Sequence, residues 1–228
     1  MQRLTIYLLS ICLLVLSCTR NMTGPDPGPA LDIRSIVQLD HPLRKIFFID
    51  SQHGWAMCDS GGVYRTSDGG GTWDYVAVGA ETKLLDFDSV NSSLGWMCGF
   101  DATMLHTADG GRTWTRHVVA DAVDSIFQHV DFINERDGWM FTSRGDVYGT
   151  TNGGGRWELL SQLQIGGLFF VKMWGQQGIA AQHMGSIMRT KDGGRSWSAL
   201  HTPESIVGQA FFITPDYGWI IQTLAPFT

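Results

Sequence analysis

Thr66-Ser-Asp-Gly-Gly-Gly-Thr-Trp73 recurs three more times without a gap, as Thr107-Ala-Asp-Gly-Gly-Arg-Thr-Trp114, Thr150-Thr-Asn-Gly-Gly-Gly-Arg-Trp157 and Thr190-Lys-Asp-Gly-Gly-Arg-Ser-Trp197. The closing tryptophans lie 41, 43 and 40 residues apart, a near-constant period of the kind that marks repeat architectures. A second marker, Gly-Trp, stands at Gly54-Trp55, Gly95-Trp96, Gly138-Trp139 and Gly218-Trp219, and decays to Gly178-Ile179 in the fourth repeat. Eight of the nine tryptophans fill these two slots and only Trp174 falls outside them, so the repeat organises the chain as a whole.

Working outward from the box, each unit reads as four short strands. In the first unit these are residues 43–49, 55–59, 63–66 and 73–78; in the second, 83–88, 96–100, 103–107 and 114–119. The third gives 127–133, 139–142, 146–150 and 157–160, and the fourth 168–174, 179–183, 186–190 and 197–201. These segments are aromatic and β-branched, are separated by Gly, Asn and Asp turns, and show no sustained helical period. Four strands per roughly 40 residues is the propeller blade. The expected fold is therefore all-β: a β-propeller over residues 33–228, with four-stranded antiparallel blades at about 43–80, 81–120, 125–161 and 166–202. A partial blade at 206–228 brings the total to about 4.5. Residues 33–39 are candidates for an outer strand joining the two ends. Propellers close at about four to eight blades, so the sequence reads either as a five-bladed ring with a thin last blade or as a piece of a larger ring. The second is expected, because an open arc leaves strand edges and apolar faces bare.

The box has a physical logic. The chain must reverse between the third and fourth strands, and the glycine pair supplies positive φ at no steric cost. The carboxylates of Asp68, Asp109 and Asp192 can accept hydrogen bonds from turn amides, and Asn152 can do the same in the third box. Trp73, Trp114, Trp157 and Trp197 are expected to lay their rings against the sheet.

The pattern resembles the Asp-box, or bacterial-neuraminidase, repeat. With the Gly-Trp marker it is most similar to the photosystem II stability and assembly factor family and its relatives in non-photosynthetic bacteria, over about residues 40–223. In a photosynthetic host the resemblance implies assembly or repair of photosystem II; in any other host it implies a binding module of the cell envelope. Asp-box propellers also occur in sialidases, xyloglucan-active glycosidases and sortilin-type receptors, so the repeat specifies architecture more than activity.

The N-terminus indicates a compartment. Arg3 is followed by an apolar run over residues 4–16, too short for a stable span but suited to a signal peptide. Val15-Leu16-Ser17-Cys18 resembles the lipobox of bacterial lipoproteins. Residues 1–17 are thus expected to be a signal peptide, Cys18 the lipid attachment site, and residues 18–32 a Pro- and Gly-rich tether. This places the protein outside the cytoplasm, anchored to a bacterial membrane at the periplasm or cell surface. Removing residues 1–17 takes away Arg3 alone, moving the formal charge from −6 to −7. An acidic chain with no basic cluster argues against nucleic-acid binding, and leaves the lipid as the membrane contact.

The candidate chemistry is sparse. The box acids recur at one slot, which marks them as structural, and one carboxylate per turn cannot assemble a calcium site. No cofactor or metal is expected. A sialidase needs an arginine cluster and a Tyr–Glu pair. Here Tyr64 and Tyr148 share a strand slot with Leu105 and Met188, Arg65 and Arg189 share another, and none of the four glutamates pairs with a tyrosine in sequence. Non-repeated acids at Asp86, Asp88, Asp121, Asp124 and Asp131 lie on or near the first strands, which border the channel of a propeller; with His129 they form the candidate binding face. The Phe pairs at 47–48, 169–170 and 211–212 are expected in the core. Cys58 and Cys98 follow their Gly-Trp markers by different odd and even steps, so they should face opposite sides and stay unbridged.

Two functional classes follow. The first is a lipid-tethered, noncatalytic propeller that binds a protein partner or helps to assemble a membrane complex. The second is a secreted glycan-active hydrolase, sialidase-like or xyloglucanase-like, using channel aspartates.

Overall fold

The computed structural model describes residues 37–59, 61–79, 83–119, 122, 125–164, 167–182, 186–200 and 206–223. Four sheets of four antiparallel strands follow one another. The first holds β1 (Leu43–Phe48), β2 (Gly54–Cys58), β3 (Gly62–Thr66) and β4 (Asp74–Ala77). The second holds β5 (Leu84–Ser89), β6 (Gly95–Gly99), β7 (Met104–Thr107) and β8 (Thr115–His117). The third is β9 (Phe127–Phe132), β10 (Gly138–Thr142), β11 (Asp146–Thr150) and β12 (Glu158–Gln162). The fourth is β13 (Leu168–Trp174), β14 (Gln177–Gln182), β15 (Ile187–Thr190) and β16 (Ser198–Leu200). β17 (Ile206–Thr214) and β18 (Tyr217–Thr223) form a two-stranded fifth sheet. Strands are ordered by sequence within each sheet, and the first strands of successive sheets touch. This is a β-propeller of four full blades and part of a fifth.

The core lies between blades, which explains why the second strands of the four full blades, β2, β6, β10 and β14, are the most buried. Period-two alternation sends one side chain to each neighbouring blade. Trp55, Met57 and Val63 of the first blade pack with Leu84, Phe87, Met97 and Leu105 of the second. Trp96, Cys98 and Met104 then pack with Phe127, Val130, Phe132, Met140 and Tyr148 of the third. Trp139, Phe141 and Val147 do the same with Leu168, Met173 and Ala180. Outer strands β4, β8 and β16 are mostly exposed.

Three local expectations meet a more particular outcome. Phe47 and Phe170 pack edge-on or tilted against Phe87 and Phe212, but Phe48 is 41% and Phe211 61% exposed. Adjacent residues of a strand point to opposite faces, so a Phe pair cannot bury both rings where one face lacks a neighbour. Residues 37–39 lie outside any strand, and 33–36 lie outside the described residues. Leu39 instead packs over Ala56, Cys58 and Tyr64, while Tyr64 Oη accepts from the Asp40 amide at 3.1 Å. Cys58 and Cys98 are buried without a disulfide and join different clusters, on opposite sides of their blades.

Candidate functional site

The four boxes share one hydrogen-bond pattern. Asp68 Oδ1 accepts from Thr66 Oγ1 at 2.8 Å and from the Thr72 amide at 2.9 Å, and Oδ2 accepts from Thr72 Oγ1 at 2.7 Å. Asp109 repeats these bonds with Thr107 and Thr113, and Asp192 with Thr190 and Ser196. Asn152 takes two of the three, from Thr150 Oγ1 and the Arg156 amide at 2.9 Å each; position 156 has no hydroxyl to give the third. Glycine is required because the paired positions have φ of 71° and 90° at Gly69 and Gly70, repeated in every box. The amide and hydroxyl of Thr72 hold Asp68 down at about 2. The hydroxyl and amide of Ser196 do the same for Asp192, and at Asp109 the Thr113 donors outweigh slight burial to reach about 2. Of the closing indoles, Trp157 is buried, whereas Trp73, Trp114 and Trp197 are half-buried.

The Gly-Trp tryptophans have a role that sequence reading missed. Trp55 Nε1 donates to Gly110 O at 3.2 Å, Trp96 Nε1 to Gly153 O at 3.0 Å, and Trp139 Nε1 to Gly193 O at 2.7 Å. Each acceptor is the first glycine of the next blade's box. The marker and the box are therefore the two halves of one inter-blade contact.

The first strands carry a polar ladder. Opposite the third residue after each marker glycine stand Lys45, Asp86, His129, Phe170 and Gln209. Opposite the first residue stand Phe47, Asp88, Asp131, Lys172 and Phe211. Side chains two apart share a face, so these are two rows running from blade to blade. Lys45 pairs with Asp86 and also donates to Phe87 O at 3.0 Å. His129 Nδ1 lies 3.4 Å from Asp86 Oδ2, and its Nε2 donates to Leu168 O at 3.0 Å. Lys172 pairs with Asp131 at 2.5 Å. Every acid also accepts a backbone amide from the next blade: Asp86 from Val130 at 3.1 Å, Asp88 from Phe132 at 2.7 Å and Asp131 from Met173 at 2.6 Å. Adjacent first strands have no backbone ladder with each other, and the carboxylates supply the missing cross-links.

Their electrostatics differ. Burial pushes the Asp86 carboxyl up, but Lys45 and His129 overcome it and hold it well below the usual range. Asp88 has no cation of its own; burial, then the charge of Asp131, raises it to about 6. Burial likewise raises Asp131 despite Lys172. The folded state thus holds the Asp88 proton more tightly than the unfolded chain, so stability should rise as pH falls from 7 through 6 toward 4. The box acids have the opposite sign: their contribution is complete above about 4 and is lost as pH falls toward 2. Asp88→Asn keeps an acceptor for the Phe132 amide and removes the charge. It should stabilise the protein at pH 7 by on the order of 2 kcal/mol, with the gain gone at pH 4. Urea denaturation at both pH values checks this; equal effects at the two would refute it.

Of the other candidates, Asp121, Asp124 and Cys18 lie outside the described residues. Tyr64 and Tyr148 are buried, Arg65 pairs with Asp74 and Arg189 with Asp216, so no arginine cluster with a Tyr–Glu pair forms from them. Among the described residues no three His, Cys, Asp or Glu side chains gather as a metal would require.

The family model described as photosynthesis system II assembly factor YCF48 matches residues 33–168 and 117–216. No curated protein matches the chain. Among solved structures, YCF48 bound to a D1 peptide aligns with a TM-score of 0.52 at 17% identity, over 85% of this chain and 96% of that one. YCF48 from Cyanidioschyzon merolae aligns with a TM-score of 0.63 at 23% identity, over 77% of this chain and 61% of that one. An ancestral GH74 enzyme aligns at 0.57 and 15% identity, over 72% of this chain and only 24% of the enzyme. At such identities the solved structures speak for the fold alone. The family model spans well over half of the sequence: the chain belongs to the photosynthesis system II assembly factor YCF48 family.

Proposed function

We propose that the chain is a noncatalytic, protein-binding propeller, held outside the cytoplasm at a bacterial membrane by a lipid on Cys18, where it helps to assemble a membrane complex. The observation that carries this reading is the engagement of the six described acids of the boxes and the first-strand ladder. Asp68, Asp109 and Asp192 are occupied by their own turns, and Asp86, Asp88 and Asp131 by amides of the next blade. A catalytic carboxylate must be free to meet substrate. Support for a polypeptide ligand comes from the YCF48 structure that holds a D1 peptide.

A second reading, a glycan hydrolase, draws on the GH74 likeness and on Asp88, whose pKa of about 6 suits a general acid. One experiment separates them. The purified protein is incubated with xyloglucan and sialylated glycans, while the protein in its own envelope membranes is photo-cross-linked. The binding reading expects intact glycans and a defined cross-linked membrane polypeptide. New reducing ends that vanish in Asp88→Asn, without a cross-link, would establish the hydrolase instead.

A further inference from the structure

Each of the first three joints between blades is made of two halves. The forward half is a marker tryptophan, and the rear half is the first glycine carbonyl of the next blade's box. Trp55, Trp96 and Trp139 take Gly110 O, Gly153 O and Gly193 O in turn. The fourth marker, Ile179, has no side-chain N–H and packs with Phe212 of the fifth sheet. Among the described residues this leaves over one marker donor and one box acceptor. The donor is Trp219, 52% exposed and flanked by Phe211 and Tyr217. The acceptor is Gly69 O, in the box of the first blade.

The first blade carries a ready-made socket for such an indole. Trp96 stacks on Phe132, which in turn meets Trp157 edge-on at 5.9 Å and 83°. Phe48 meets Trp73 in the same way, at 5.9 Å and 82°, and among the described residues no indole stacks on it. Gly69 and Gly70 have φ of 71° and 90°, against 72° and 90° at Gly153 and Gly154, so the carbonyl is presented alike. Val130 and Phe132, on the rear face of the third blade, are each 4% exposed. Their counterparts on the first blade, Ile46 and Phe48, are 47% and 41% exposed.

The bare region also has the right extent. A two-stranded sheet can cover only the inner half of the blade behind it. On the first blade the outer half is already covered, by Leu39 and Leu43 over Cys58 and Tyr64 and by His41 stacked on Tyr75. Within one copy the two halves stay apart. Bringing them together would tilt the joints between them, and those joints are close-packed, with Trp55 and Trp96 no more than 2% exposed.

We propose that the forward face of the fifth sheet docks on the rear face of the first blade of a second copy of this chain. Trp219 stacks on Phe48, its Nε1 donates to Gly69 O, and Ile221 packs on Ile46 as Cys98 packs with Val130 inside one copy. The contact is heterologous: each copy offers one plug and one socket, so the joint runs head to tail.

The test is light scattering behind size exclusion, on the full chain in detergent, with the protein mass separated from that of the micelle. Wild-type protein should self-associate, its mass rising with concentration. Trp219→Ala removes the plug and Phe48→Asp spoils the socket; each alone should weaken association by about tenfold or more. An equimolar mixture of the two retains one plug and one socket, and should form a dimer and nothing larger. Ile46→Asp, at a more exposed site, takes the place of Phe48→Asp if that variant melts below the wild type. A monomeric wild type overturns the proposal; a Trp219→Ala variant that then melts lower would mean that the ring closes within one copy. A mixture that stays monomeric also overturns it, as would follow if two like faces met. So does association that either variant leaves unchanged. None of these outcomes bears on the envelope polypeptide sought by photo-cross-linking, so the protein-binding reading stands or falls separately.

Discussion

Trp96→Ala is expected to lose about 3–5 kcal/mol of stability, a large share of what a domain of this kind possesses. The indole is 1% exposed and lies in the cluster shared by the second and third blades. Its ring stacks on Phe132 with centroids 3.6 Å apart and planes 7° from parallel. Its Nε1 donates across the blade boundary to Gly153 O at 3.0 Å. Alanine leaves a cavity that the sheets cannot close, because their spacing is fixed by the equivalent contacts of Trp55 and Trp139. Trp96→Phe should cost less, since it restores most of the apolar volume and gives up mainly the hydrogen bond. Guanidinium unfolding followed by far-ultraviolet circular dichroism measures both. A loss under about 1 kcal/mol for the alanine variant would mean that the indole is not an inter-blade lock.

The second large effect is expected at the polar ladder, with a definite asymmetry. Lys45→Met leaves the Asp86 carboxylate, whose side chain is 12% exposed, with only His129 and the Val130 amide. A buried carboxylate stripped of its lysine partner costs about 3 kcal/mol. Asp86→Ala should cost less, because the Lys45 side chain is 41% exposed and its ammonium can turn to water. The residual loss there is the unpaired Val130 amide and the vacated volume. Lys45→Met/Asp86→Leu should recover much of the deficit, since an apolar pair needs no mutual neutralisation. Thermal melts at pH 7 provide the comparison. Equal losses for the two single variants, or a double variant worse than either, would contradict this account of the ladder.

How far the sequence alone revealed this molecule depends on the range of each interaction. The boxes were fully legible: their hydrogen bonds run between residues two and four apart, so Thr66, Asp68 and Thr72 carry both partners in one short string. The Gly-Trp marker was legible as a repeat but not as a bond, because Trp55 meets its acceptor 55 positions later. Asp86, Asp88, Asp131 and His129 could be placed on first strands, yet Lys45, which pairs with Asp86, Lys172, which pairs with Asp131, and the next blade's amides lie about one repeat away. Pairing them needs the blade-to-blade offset, which only the folded chain supplies. The Phe pairs at 47–48 and 211–212 misled because alternation buries one ring against a neighbour and leaves the other to whatever follows, as Phe48 and Phe211 show, whereas Phe169 and Phe170 both pack against one cluster. Trp219 was visible as the last of the Gly-Trp markers. That Phe48 and Gly69 O form the socket it lacks was not, since that depends on how Trp96 meets the blade after its own.

The central claim is that the acids of this propeller serve as acceptors that hold blades and turns together. The denaturation midpoint of Asp88→Asn at pH 7 tests it most directly, because asparagine preserves the acceptor for the Phe132 amide and discards the charge. A midpoint above that of the wild type is the expected result. A midpoint below it would mean that the ionised carboxylate itself is what the fold was built to keep.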